Sequence, residues 1–512
     1  MALVALPPEL KLNVADFLDP DSTLNFALTC RDHGTLLKST LREHGRLLSE
    51  WNVIDTSDGR TLLWKRLKEL IIDPRQGWYI RELNLPQTRQ YNWNTDESLF
   101  GTHPSNGVGP SGEEKILFIE AARKLRHLYP EMDAKSLRRR YGFQTQTLPR
   151  PHDTIGSIED RIRAGFEDAI IVLLLHYLPF LTTIRHTLVR EEDCLELALW
   201  QIASGYKNPA VASMLPLQHL KTVAMVYGDT EGCISPDWAC YYLSVPSLKT
   251  FAAQAMGESP SREVQHSLFP EGSAPCSNVV ELFFSSSLFN VDGLATILAT
   301  VKHLEKLTYD GGDASVSEGS FYQPKRVLEA VVTHAAHSLE ELSLTQGFDD
   351  DDVSPYFQFK FQTKSRVQFD LDLPGPKIVS LRDFQKLRML NCEWSIIRPE
   401  MEEEEEDPQH DEPLEEGYYR EEHNEGIDDD FDIRTILPES IEELHLGGDF
   451  KVFEEWERLE NAFDASSAST PNLTLEKTCI QRGDWSDRIG NAEHRSGLWS
   501  HPLTRLFVGH GY

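Results

Sequence analysis

The run Gly107-Val108-Gly109-Pro110-Ser111-Gly112 has the G-x-G-x-x-G spacing with which a strand-to-helix turn holds the pyrophosphate of a dinucleotide. Such a turn follows a buried strand, whereas residues 101–106 read as a polar loop, and Pro110 removes a backbone N–H where phosphate oxygens need one. Ser111 and Glu114 read instead as a capping box for a helix carrying Ile116, Leu117, Ile119 and Leu125. Cys233 and Cys240 stand seven apart with no neighbouring Cys or His pair, unlike the short spacings of zinc sites. His176, His186 and His303 occur singly beside apolar segments, the setting of a packing histidine rather than a general base. The sequence holds no G-x-S-x-G elbow, no P-loop and no H-E-x-x-H pair. It therefore predicts no catalytic residue, no cofactor and no metal.

With 512 residues, 40% of them hydrophobic, the chain can bury a large core, either as several domains or as one extended repeat array. The formal charge of -32 is uneven: residues 400–432 hold 18 acids against the single base Arg420. That field repels phosphate backbones and anionic lipid, so nucleic acid and membrane surfaces are not expected partners. Seven scattered cysteines fit a reducing compartment, and the expected location is intracellular, cytoplasm or nucleus. No charged-then-apolar leader opens the chain, and the Asn472-Leu473-Thr474 sequon is then without consequence. The longest apolar stretch, 169–181, is interrupted by His176 and Pro179 and reads as a buried helix.

The elements that position function begin at the N-terminus. Leu6-Pro7-Pro8-Glu9-Leu10 leads into Leu12, Val14, Phe17 and Leu18, an apolar set at three- and four-residue steps with proline at the helix start. Asp19-Pro20-Asp21-Ser22 ends that helix and starts a second, which carries Leu24, Ala27 and Leu28. Leu36, Leu37, Leu41 and Leu47 predict a third. Three helices this short have little core of their own and need a partner or a following domain.

In order and spacing, residues 6–37 resemble an F-box: Leu-Pro, an acidic and an aliphatic residue, a helix closing on an aromatic-aliphatic pair, Asp-Pro, then a leucine-bearing helix ending near Cys-Arg. The resemblance spans about 45 residues. It implies docking on the Skp-type adaptor of an SCF ubiquitin ligase, and through it on a cullin, by Leu6, Pro7, Leu10, Val14, Phe17, Leu18, Leu24 and Leu28. Two positions depart from the pattern. Ser22-Thr23 replaces the aliphatic-rich start of the second helix, and His33 stands where many members carry a tryptophan or another large residue. Both departures imply a reduced affinity for the adaptor.

Behind this segment a six-residue unit recurs, apolar-x-x-apolar-x-apolar, beginning at Ile80, Leu220, Leu248, Val279, Leu304, Leu339, Leu387 and Ile441, with a partial copy at Leu181 and Ile184. First positions from Leu220 to Leu339 are 28, 31, 25 and 35 residues apart, close to leucine-rich-repeat lengths but looser. Apolar helical segments precede the units at 181, 304 and 339, so each pair reads as a helix followed by a strand of a parallel inner sheet. Truncating an inward leucine such as Leu307 is expected to cost about 2–5 kcal/mol. An F-box followed by such units resembles the F-box and leucine-rich-repeat receptors, particularly those of filamentous fungi. The strict asparagine of regular repeats is absent, so an irregular arc is expected.

The expected fold is α/β: a three-helix F-box over 1–48, a helical linker with a first irregular repeat over 49–154, and a leucine-rich-repeat-like solenoid with a parallel inner sheet over 155–450. A hairpin insertion at 353–373 and a disordered acidic insertion at 399–432 interrupt it, and 451–512 caps it. The expected function is a non-catalytic receptor that holds an unknown protein substrate for ubiquitin transfer. A repeat scaffold for protein–protein interaction outside any ligase is the alternative.

Overall fold

The computed structural model describes residues 6–57, 61–86, 109–128, 154–188, 193–227, 233–258, 260–270, 272–312, 324–347, 380–397 and 436–447. The expected hairpin at 353–373, the acidic segment at 399–432, the C-terminal cap and the sequon all lie outside these residues. The described residues form two compact units, one up to Lys302 and one from His303 onward, a division that falls inside the span expected to be a single solenoid. Both units are α/β, and every strand pairing described in them is parallel.

In the first unit the strands are β1 (Val53–Asp55), β2 (Glu82–Leu85), β3 (Thr183–Leu188), β4 (Thr222–Tyr227), β5 (Thr250–Gln254), β6 (Gly257–Glu258) and β7 (Glu281–Phe289). They pair in the order β1-β2-β3-β4-β5-β7, with β6 set against the far end of β7. The second unit contains β8 (Lys306–Gly312), β9 (Glu341–Gly347), β10 (Met389–Glu393) and β11 (Glu443–Gly447), paired in sequence order.

Each recurrent six-residue unit lands on one strand, and its apolar positions align between neighbours. The middle positions Leu83, Ile184, Val223, Phe251 and Leu282 are successive register partners, as are Leu307, Leu342, Leu390 and Leu444. Side chains two apart point to one face of a strand, so this alignment turns scattered leucines into continuous buried rows. The leading positions Ile80, Leu181, Leu220, Leu248 and Val279 form a further buried row just ahead of the strands. At Leu181, Leu220 and Leu248 the chain turns the same way, with each N–H donating to the carbonyl three residues earlier. The partial copy at Leu181 departs in its third position, His186, which is nonetheless buried and meets the ring edge of Trp238 at 6.2 Å.

Helices cover the apolar face. In the first unit Leu63–Ile72, Glu167–Tyr177, Asp193–Gly205 and Asp237–Leu243 pack side by side in chain order. Residues 169–175 are buried on all sides because the helices Gly112–Lys124 and Thr154–Ala164 also pack against this helix. A helix apolar all round belongs inside a protein, and this one has neighbours on every side. Its buried Asp168 accepts the N–H of Cys194 at 3.0 Å and lies 3.7 Å from Arg161, so it caps the next helix while pairing its own charge.

Gly77 lies in the short 3-10 turn Pro74–Trp78 that delivers the chain to β2. A Cβ at this position would overlap the Tyr177 carbonyl oxygen. Because that oxygen is backbone, Gly77→Ala is expected to destabilise at or above the top of the about 1–3 kcal/mol usual for overpacking, read as a lower urea midpoint.

His176 titrates far below the imidazole range, near about 3, because burial penalises the imidazolium and the charge of His127 opposes it further. With the folded pKa below the unfolded one, the unfolded chain binds the extra proton. Stability is therefore complete above about pH 6.5 and declines as pH falls toward the folded value. Part of the residue remains at the surface, so solvent screening keeps the slope below the full about 1.4 kcal/mol per pH unit. Comparing urea midpoints at pH 7.5 and 5.5, His176→Gln is expected to flatten the decline.

Candidate docking face

Four helices make the N-terminal module: α1 (Pro8–Ala15), α2 (Pro20–Leu28), α3 (Arg31–Leu36) and α4 (Lys38–Trp51). The single third helix expected from Leu36, Leu37, Leu41 and Leu47 is thus two, broken at Leu37, whose ψ of 4° leaves the helical range. The boundary expected at residue 48 falls within α4.

Local signals explain the first two helices. Pro8 occupies a first-turn position of α1, where its missing N–H costs nothing. Asp19 caps α2 by accepting the N–H groups of Asp21 and Ser22 at 3.0 and 2.9 Å and the Ser22 hydroxyl at 2.7 Å. Burial pushes the Asp19 carboxyl up, but these hydrogen bonds outweigh it and hold the group below the usual carboxylate range.

The module has a small interior of Ala15, Ala27 and Leu37, joined by Leu12, Phe26 and Leu41. The apolar residues assigned to docking are outside it. Phe17 is 84% exposed and Leu28 74%, while Leu10, Leu24 and Val14 lie between 36% and 47%. Pro7 is also exposed, and Leu6 and Leu18 are half-buried. Leu10 and Val14 are four apart on α1, Leu24 and Leu28 four apart on α2, so each helix presents one apolar stripe to solvent. These five form most of the exposed large hydrophobics among the described residues.

Of the residues that depart from the F-box pattern, Thr23 and His33 are interior and Ser22 is half-buried. Thr23 is fully buried, with its hydroxyl 3.4 Å from the Leu18 carbonyl oxygen. His33 is buried, stacks on Phe26 with ring centroids 4.4 Å apart, and shares a 2.8 Å hydrogen bond with the Thr29 hydroxyl. Neither Thr23 nor His33 is part of the exposed apolar stripes.

The module is tied to the sheet. His44 Nδ1 and the Tyr79 hydroxyl are 2.7 Å apart, and Arg81 approaches Asp21 at 3.9 Å. Only Asn52 separates α4 from β1, and its carbonyl accepts the N–H of Arg81 at 2.8 Å. Arg66 also lies over the Trp51 ring, 4.8 Å from its centroid.

The remaining sequence candidates are dispersed. Ser111 and Glu114 form the capping box, with Glu114 N–H to Ser111 Oγ at 3.2 Å and Ser111 N–H to the Glu114 carboxylate at 2.7 Å. Cys240 is buried in its helix, and Cys233 precedes Ile234 in a half-buried position. His303 lies 3.7 Å from Glu305 in the second unit. Compared with family models and with curated proteins, the chain matches none.

Sequence reasoning passed over the residues at the starts of the central strands. Their signal was present in the repeated Leu-Lys-Thr of 220–222 and 248–250, each introduced by a turn with proline.

Proposed function

We propose that the chain is the substrate-recognition subunit of an SCF-type cullin–RING ubiquitin ligase. On this reading the N-terminal helices are an F-box that docks on the Skp-type adaptor, and the repeated helix–strand units form an irregular leucine-rich-repeat-like solenoid that holds a protein target. The observation that carries the reading is the division within α1, α2 and the turn between them. Leu10, Val14, Phe17, Leu24 and Leu28 face solvent while a separate set of residues fills the interior. An apolar surface of this kind is stable in water chiefly when a partner covers it.

The chain itself supplies no bond-making group on this reading. Its contribution is proximity: tying the module to the sheet sets the place of a bound target relative to the adaptor and so raises the effective concentration of target lysines near the conjugating enzyme. The test is co-purification of the full chain with a Skp-type adaptor on gel filtration. A one-to-one complex is expected, and failure of the wild-type chain to bind removes the assignment.

A second reading, a repeat scaffold acting outside any ligase, draws on the same ties. Because only Asn52 separates α4 from the edge strand β1, the module adjoins the end strand of the sheet in the chain, as terminal caps of repeat arrays do. Under that reading the exposed stripes have no adaptor to meet, and the co-purification test separates the two.

A further inference from the structure

The strands of the first unit start along an edge with its own chemistry. Arg81, Thr182, Lys221, Lys249 and Val280 immediately precede β2, β3, β4, β5 and β7, and consecutive backbone hydrogen bonds hold them in one row. Lys221 and Lys249 are exposed neighbours in that row, since the N–H of Lys249 donates to the carbonyl of Lys221 at 2.9 Å. Lys221 makes no ion pair among the described residues, and Lys249 reaches only a neutral acceptor, the Asn278 carbonyl, at 3.3 Å.

The next residue of each strand adds hydroxyls: Thr183, Thr222 and Thr250 are register partners. Those of Thr183 and Thr222 carry no hydrogen bond among the described residues. The acids of this row stand at its two ends and are engaged. Glu82 pairs with Arg185 at 2.6 Å, and Glu281 accepts the Thr250 hydroxyl at 3.1 Å. Between Glu82 and Glu281 the row therefore contributes the cations Lys221 and Lys249 and the unengaged hydroxyls of Thr183 and Thr222, on a chain of formal charge -32. In the second unit the corresponding positions are Glu305, Glu340, Arg388 and Glu442, and Arg388 is occupied by Glu340 at 3.3 Å and Glu442 at 3.7 Å. The basic character is specific to β3–β5.

We propose that the leading edge of β3–β5 docks an extended, Asp/Glu-rich peptide segment of a partner protein, its carboxylates meeting the ammonium groups of Lys221 and Lys249. Three strands at about 4.8 Å spacing span about 10 Å, the length of about three extended residues. Two ammonium groups on the adjacent strands β4 and β5 suit carboxylates spread along a chain. A phosphate group is matched better by a converging guanidinium fork, and Arg81 is largely covered and engaged with Asp21. Long polyanions and anionic membranes experience the net charge of the whole chain, whereas a short segment experiences mainly the local edge. The assignment is independent of adaptor docking.

The experiment titrates a fluorescent eight-residue peptide of alternating Glu and Ser into the full chain. Binding is expected, weakening at least about fivefold between 50 and 300 mM NaCl because the charges are exposed. Lys221→Glu with Lys249→Glu is expected to lose at least tenfold, and Lys221→Gln with Lys249→Gln to lose part of this. A charge-matched control, Lys38→Glu with Lys386→Glu, should bind as wild type. Unchanged binding in both double variants overturns the proposal, as does no binding by the wild type. Tenfold tighter binding of the matched phosphoserine peptide, or of a single-stranded RNA octamer, also overturns it.

Discussion

Phe17→Glu with Leu28→Glu is expected to abolish capture of the Skp-type adaptor while shifting thermal unfolding by less than about 2 °C. Both side chains are largely solvent-exposed in the free chain, so the folded state loses almost no buried contact, and surface changes of this kind stay within about 0.5 kcal/mol. In a complex that covers them, each side chain contributes about 1.5–3 kcal/mol of burial, and the substituted carboxylates must be desolvated as well. Two such losses weaken binding by at least about a hundredfold. Titration calorimetry with the purified adaptor measures the first effect and differential scanning calorimetry the second. Adaptor affinity equal to wild type in this variant removes the docking face from the proposed function.

The opposite pattern is expected at Phe251→Ala. Phe251 is fully buried in the middle row of the sheet, between its register partners Val223 and Leu282. Its ring lies 6.3 Å from that of Tyr242 on the covering helix and 6.2 Å from that of Phe284 on β7. Truncation removes the ring from both neighbours at once and leaves a cavity at the sheet–helix junction. The expected cost is about 3–5 kcal/mol, seen as a lower urea midpoint with an unchanged slope. Retention of wild-type stability would mean that the aligned rows are not the core.

Much of the sheet was legible because every second side chain of a strand shares a face, and in each unit an apolar turn residue precedes the pair. That pattern survives the loose spacing and places β2, β4, β5, β7 and the strands of the second unit. It does not find β1 and β6, because Val53-Ile54-Asp55 and Gly257-Glu258 hold no pair of apolar residues two apart. Nor does it see the break at Leu37, where neither Pro nor Gly stands to mark it and leucines at 36, 37 and 41 continue across it.

The docking face was legible only in part. Apolar periodicity on α1 and α2 identifies amphipathic helices but not which stripe turns inward. The inward stripe of α1 includes Lys11, whose long aliphatic stem lets it be buried beside Ala15. With a lysine taking an interior position, Leu10 and Val14 are left outside. No rule that assigns leucines to cores and lysines to surfaces recovers that arrangement.

The passage from α4 into β1 through Asn52 has a mechanical consequence. A load applied to α1 and α2 enters the sheet at its edge through one covalent connection, assisted by the His44–Tyr79 and Arg81–Asp21 contacts. The first ladder to bear it is β1–β2, with three register pairs, whereas β3–β4 behind it has six. Under tension the chain peels from that edge inward. In a single-molecule pulling experiment the first extension event is expected to release β1 and the N-terminal helices, while the rows from Ile184 onward still hold.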